Sequence, residues 1–233
     1  MVNSVYKIAF EKKLTILIGG HGSGKSEFAI EWARRLVKSE RSPVILVDLD
    51  TIKPLFRSQE AQYALADEGI EMLISSVPSS DMPSISARMV GMIGDDTNWM
   101  VVDVGGDAAG VRILKSINVY MHHREHNLIY IINTRRPFNF DTESALKELK
   151  RIESISGLKI TDLVSNTHLL DETTPAIIEE GIRVTEQVSE KLGISFLGVM
   201  ISDDMTDKVK IPDNLELFRI HRMLNPPWLR DYR

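Results

Sequence analysis

LTILIGGHGSGKS, residues Leu14 to Ser26, decides the reading of this chain. Leu14–Ile18 is an apolar run of the kind that forms a strand buried on both faces. Gly19-Gly20-His21-Gly22-Ser23-Gly24-Lys25-Ser26 then fits G-x-x-x-x-G-K-[ST] in full. From Ser26 to Lys38, Phe28, Ala29, Trp32, Ala33, Leu36 and Val37 fall on one helical face. A strand, a glycine-rich turn and a helix in that order make an anion site. The glycines let successive backbone N–H groups converge on one anion, and the helix N-terminus adds unpaired donors and its dipole. Gly20, His21, Gly22, Ser23, Gly24, Lys25, Ser26 and Glu27 are therefore the expected nucleotide-binding residues. Lys25 reaches the β- and γ-phosphates, and the Ser26 hydroxyl ligates Mg²⁺. His21 reads as a spacer that works through its backbone N–H.

Outward from this stretch the same alternation continues. Val44–Val47, Ile70–Ile74, Met100–Val104, Leu128–Ile132, Ile160–Val164 and Phe196–Ile201 are further strand candidates. Between them lie helices with readable ends. Asp141 caps one that runs to Ile155, and Thr174-Pro175 opens another that Gly193 closes. Repeated β-then-α order implies right-handed crossovers and helices on both faces of one sheet. The expected fold is an α/β three-layer P-loop NTPase domain, with a mainly parallel sheet of about seven strands. No repeat or linker divides residues 1–233, which read as a single nucleotide-binding domain. Ser75–Ser86, rich in serine and proline, reads as an irregular loop on the ligand side of the sheet.

Two acidic clusters follow strands. Val44–Val47 leads into Asp48-Leu49-Asp50, which places Asp48 and Asp50 on one face. Either acid could orient a water or hold a magnesium-bound one. Met100–Val102 leads into Asp103-Val104-Gly105-Gly106. Asp103 is the natural acid for binding Mg²⁺ through water, and its spacing to Gly106 would bring a backbone N–H to the γ-phosphate. A loop so placed can distinguish triphosphate from diphosphate.

With these residues in view, the set ILIGGHGSGKS, VILVDLD, WMVVDVGG and LVSNTHL resembles the MinD/ParA-type P-loop ATPases, a group that includes the CobB/CobQ-like synthases. The likeness runs from Leu14 to about Asp204. It implies that Asp50 is the catalytic or water-orienting acid and that Asp48 supports it near magnesium. It also implies that Asn166 contacts the adenine ring and that Ser202 and Asp203 lie along the base. Gly20 stands where members that dimerise over ATP carry a signature lysine. Asn166-Thr167-His168-Leu169 lacks the aspartate with which GTPases read guanine, so ATP is favoured over GTP. The expected function is a Mg²⁺-dependent ATPase acting as a partner-coupled switch, with a protein partner or homodimer. The alternative is an ATP-dependent small-molecule synthase or kinase of the CobB/dethiobiotin-synthase type.

Composition narrows the choice. A net charge of −5 gives no footprint for nucleic acid. The chain has no cysteine, which removes disulfides, thiolate nucleophiles and iron–sulfur ligands. No apolar run approaches the roughly 18 residues of a membrane span, and the start does not read as a secretory signal, so a cytoplasmic protein is expected. His122 and His126 lie four apart, but an exposed helix end explains them better than a metal site. Arg135 and Arg136 follow a strand and could face a substrate or partner. Asn214–Arg233 reads as a final helix packed on its own domain, without membrane contact.

Overall fold

The computed structural model describes residues 9–49, 59–74, 86–121 and 124–220. Eight strands form one sheet: β1 (Leu14–Gly19), β2 (Val44–Asp48), β3 (Ile70–Ile74), β4 (Trp99–Gly105), β5 (His126–Ile132), β6 (Asp162–Ser165), β7 (Ser195–Ser202) and β8 (Glu216–Ile220). Their order across the sheet is β3-β2-β4-β1-β5-β6-β7-β8, and every pairing is parallel. The apolar runs became strands because both faces are covered. Every residue of β1, β2 and β4 is buried.

Six helices supply that cover: α1 (Lys25–Lys38), α2 (Gln59–Asp67), α3 (Ala87–Gly94), α4 (Ala108–Asn118), α5 (Thr142–Ser156) and α6 (Pro175–Leu192). On one face, Phe28, Trp32 and Leu36 of α1 and Leu65 of α2 pack on Leu17, Leu46, Val101 and Ile129. On the other, Met89 of α3, Leu114 of α4, Leu149 of α5 and Val188 of α6 pack on Ile16, Val47, Val102 and Tyr130. The residues that alternate along each strand thus feed two separate cores. The caps sit where expected. Asp141 accepts from Ser144 N at 2.7 Å, Thr174 accepts from Ile177 N at 3.4 Å, and Gly193 closes α6 with a φ of 65°. Among the described residues no helix is long and apolar enough to cross a membrane.

Three details bear on the expectations. The mainly parallel sheet of about seven strands is borne out, with eight. The segment expected to be a final helix begins as the edge strand β8, for a reason visible in its period: Phe218 and Ile220 pack towards the α1 side, while Leu215 and Leu217 pack towards the α6 side. That two-residue alternation fits a strand. Phe218 is fully buried against Phe28 and Trp32, with ring centroids at 4.8 and 6.2 Å. The rest of that segment, 221–233, lies outside the described residues. Third, His126 opens β5 rather than ending a helix, and its Nδ1 lies 3.0 Å from Arg124 O. His122 is outside the described residues.

At the end of the sheet away from the phosphate loop, one cation ties three elements together. Arg124 is buried and donates to Met92 O at 3.0 Å, Ile93 O at 2.9 Å, Lys13 O at 3.3 Å and Asn98 O at 2.6 Å. The first two carbonyls belong to the last turn of α3, where helix carbonyls lack partners and a cation is favoured. Burial holds the Arg124 guanidinium below its usual pKa range. Arg124→Met should leave Ile93 O and Asn98 O short of a donor, while Met92 O keeps Asp95 N and Lys13 O keeps Met100 N, and lower stability by about 3 kcal/mol; urea unfolding checks this, and a loss within ordinary surface-mutation scatter would contradict it.

Candidate nucleotide-binding site

The phosphate loop is shaped by its backbone. Gly19 ends β1, Ser23 N donates to Gly20 O at 3.0 Å, and Gly24 is the N-cap of α1. Gly24 has a φ of 87°, and no side chain caps the helix. The helix therefore opens without a side-chain cap, at the end where its dipole favours an anion. Gly24 admits no other residue easily. A Cβ there would stand 2.0 Å from Asn166 Nδ2, in a left-handed backbone that side chains disfavour. Lys25 and Ser26 are buried at the head of α1, Glu27 is half-buried beside them, and His21 is exposed at the loop's tip.

The acids meet this loop from β4 and β2. The Ser26 hydroxyl donates to Asp103 Oδ2, and Asp103 is fully buried. Register pairs Asp103 with Leu17 of β1 on one side and with Asp48 of β2 on the other. Asp48 is 2% exposed, and its register pairing brings it alongside Asp103. Asp50 and the segment 51–58 lie outside the described residues. Gly106 passes directly beneath the phosphate loop: a Cβ on it would stand 2.1 Å from Gly19 O. Arg151 of α5 donates to Gly106 O at 3.3 Å, and Asp107 caps α4 by accepting from Gly110 N at 2.8 Å.

This set fits the groups that the motif implies. The loop keeps glycine where a Cβ would fill the cradle, and a hydroxyl and a buried carboxylate meet where Mg²⁺ needs oxygen ligands. Among the described residues no cluster of three or more His, Asp or Glu side chains could hold a metal on its own.

Asn166 follows β6, and its Nδ2 donates to Ser23 O at 2.6 Å. Its amide is therefore engaged with the loop itself, which ties the expected base site to the phosphate site. Asp203 is exposed and opens a 3₁₀ turn, Asp203–Lys208, at the carboxyl end of β7. Of the two arginines after β5, Arg135 pairs with Glu180 at 2.5 Å and Arg136 Nε donates to Gly22 O at 3.1 Å. In the Ser75–Ser86 loop only Ser86 is described; it caps α3 by accepting from Met89 N at 3.2 Å.

One residue escaped the sequence reading. Asn133, fully buried at the end of β5, donates to Gly22 O and His168 O, both at 3.4 Å, and accepts from Arg135 N at 2.9 Å. Its signal was available, because Asn133 follows its strand as Asn166 follows its own.

No known family profile matches the chain, and no curated protein sequence does. Solved structures do. The signal recognition particle receptor FtsY from Elizabethkingia anophelis superposes with a TM-score of 0.54 at 13% identity, over 88% of this chain and 63% of the receptor chain. The same receptor in complex with GDP gives 0.53 at 11% identity, over 86% and 60%. A nucleotide-binding protein from Archaeoglobus fulgidus, in complex with ADP, gives 0.50 at 14% identity, over 87% and 88%. The fold is that of the P-loop NTPases. This chain therefore spans less than two thirds of the receptor's length, and at such identities the likeness speaks for fold alone.

Gly24→Ala should cost about 1–2 kcal/mol through its left-handed backbone alone, before the clash with Asn166 is counted. A thermal melt of the nucleotide-free protein should show the loss, and titration should show nucleotide binding weakened about tenfold or more. Unchanged binding would contradict the loop geometry.

Proposed function

We propose that this chain binds a nucleoside triphosphate with Mg²⁺ and works as a slow ATPase of the MinD/ParA-like kind, coupled to a protein partner. The observation that carries the reading is the bond from the Ser26 hydroxyl to Asp103, made at the head of a helix that no side chain caps. That the solved structures with this fold include one protein in complex with GDP and another in complex with ADP supports nucleotide as the ligand.

In this reading the N–H groups of Gly20–Glu27 and the Lys25 ammonium grip the phosphates. Ser26 and Asp103 hold Mg²⁺, with Asp50 as a further candidate ligand. Bound there, Mg²⁺ would neutralise charge on the β- and γ-phosphates. Asp50 or Asp48 positions the attacking water, and Asp48 has the described geometry for it, buried beside Asp103. Gly106 offers its N–H towards the γ-phosphate and so senses triphosphate. Asn166 and Asp203 line the base end. Leu169, where GTPases place an aspartate, favours ATP.

Hydrolysis would relax the loop that begins at Asp103, which Arg151 connects to α5, and so alter a surface read by a partner or a second copy. A side chain at position 20 would meet only ordinary contacts, Asn139 Nδ2 at 3.5 Å and Pro137 O at 4.0 Å. The missing lysine there is thus a matter of sequence and not of space. The cytoplasm suits such a protein. A synthase or kinase would need basic groups free for an acidic substrate, and Arg135 is already paired with Glu180.

Titration with ATP in Mg²⁺ and in EDTA tests the reading. Ser26→Ala should remove most of the difference between the two conditions, and Lys25→Ala should weaken binding about tenfold or more, as the loss of a charged hydrogen bond does. A Lys25→Ala protein that binds ATP normally would overturn the assignment. Competition by GTP decides the base: tighter GTP binding would overturn the preference for ATP. Hydrolysis that rises only with a metabolite would point to the synthase alternative.

A further inference from the structure

Seven described arginines are buried or half-buried, and six of them give at least one terminal nitrogen to an acceptor. Arg34, Arg35, Arg41, Arg135 and Arg151 meet carboxylates, and Arg124 meets backbone carbonyls. Arg136 is the exception. Its Nε donates to Gly22 O, while neither terminal nitrogen has an acceptor among the described residues. Its terminal nitrogens are thus open to a ligand, and a half-buried guanidinium beside an anion site is well placed to take one.

The backbone holds this residue in place. Arg136 N donates to Asn133 O at 3.1 Å, and Asn139 N donates to Arg136 O at 3.3 Å, so two consecutive turns fix its position. The next turn is itself anchored, because the buried Tyr130 hydroxyl donates to Asn139 Oδ1 at 2.9 Å. The guanidinium lies close against the phosphate loop. A Cβ on Gly22 would stand 2.8 Å from Nε, 3.1 Å from Cζ and 3.3 Å from Nη2. Gly22 therefore serves two purposes, a positive φ of 72° in the loop and room for the arginine.

We propose that Arg136 is a nucleotide-contacting residue whose two terminal nitrogens bind phosphate oxygen of the nucleotide held by the loop. The guanidinium fork suits this ligand, since its paired donors match the oxygens of a phosphate. Nε keeps the fork in register with the loop by holding the Gly22 carbonyl. Lys25 then supplies charge from the helix side, and Arg136 supplies it from the β5 side. This assignment rests on the nucleotide-binding reading above.

Arg136→Gln, which keeps N–H donors but no charge, and Arg136→Lys, which keeps charge but not the fork, are compared with the unaltered protein. Each is titrated with AMP, ADP and ATP in Mg²⁺ at two salt concentrations, and each is melted without nucleotide. Arg136→Gln should weaken ATP binding about tenfold or more and make it less sensitive to salt. Arg136→Lys should lose less and keep the salt sensitivity. The shortest nucleotide whose affinity falls identifies the phosphate concerned.

ATP affinity within about twofold of the unaltered protein for Arg136→Gln overturns the assignment. So does a loss with unchanged salt sensitivity and a matching fall in the nucleotide-free melting temperature, which is the mark of a purely structural arginine. If Arg136→Gln does not fold, Arg136→Lys decides: weakened binding supports the contact and full affinity overturns it. If the unaltered protein binds no nucleotide, the broader reading fails and takes Arg136 with it; normal binding there with unaffected variants removes Arg136 alone.

Discussion

The site depends on the pairing of β1 with β4. Their register runs without interruption from Leu14 opposite Met100 to Gly19 opposite Gly105, and both strands then turn away at glycine. Because the pairing is parallel, two chain segments far apart in sequence end side by side. The close approach of Gly106 to the Gly19 carbonyl is the direct result. A side chain at Gly106 would force the turns apart and separate the hydroxyl of Ser26 from the carboxylate of Asp103. The polar chemistry is thus placed by an apolar ladder and by the lack of a Cβ.

The arrangement around that ladder has two sides. From β4 and β2 come acids, Asp103 and Asp48, both buried. From β5 and β6 come amides and an arginine that hold the loop's carbonyls, Asn133 and Arg136 on Gly22 and Asn166 on Ser23. Carbonyls taken up by these donors are kept from facing an anion, which suits a loop that presents N–H groups to one. The loop is therefore set in advance by hydrogen bonds that owe nothing to a ligand, and less ordering remains to be done on binding.

Much of this was legible in the sequence, for local reasons. Gly19–Ser26 is read from eight consecutive residues, and its flanks confirm it through one apolar strand and one amphipathic helix. The strands of the central sheet are legible because burial on both faces leaves nearly unbroken Val, Ile and Leu. Asp103 and Asp48 are legible because each follows such a run. What was not legible depends on which strand lies beside which. Nothing local places β5 next to β1, so Asn133 passed unnoticed and Arg136 could be given only a general direction. Asn166 was expected near the base, but its bond to the Ser23 carbonyl needs β6 and the loop in one frame. The edge strand β8 was hidden by its brevity and by Glu216 and Arg219 among its apolar residues. His126 misled because a spacing of four means a helix face only in a helix, and His126 opens β5.

That edge strand has a consequence for the order in which the molecule can be completed. Phe218 fits between Phe28 and Trp32, and Arg35 donates to Leu217 O at 2.7 Å, so β8 is fastened to the very helix that begins at Lys25. During synthesis the phosphate loop and its helix emerge early, yet the aromatic cluster behind that helix stays open until residues 216–220 have left the ribosome. The phosphate loop thus receives its full support only from a strand made long after it.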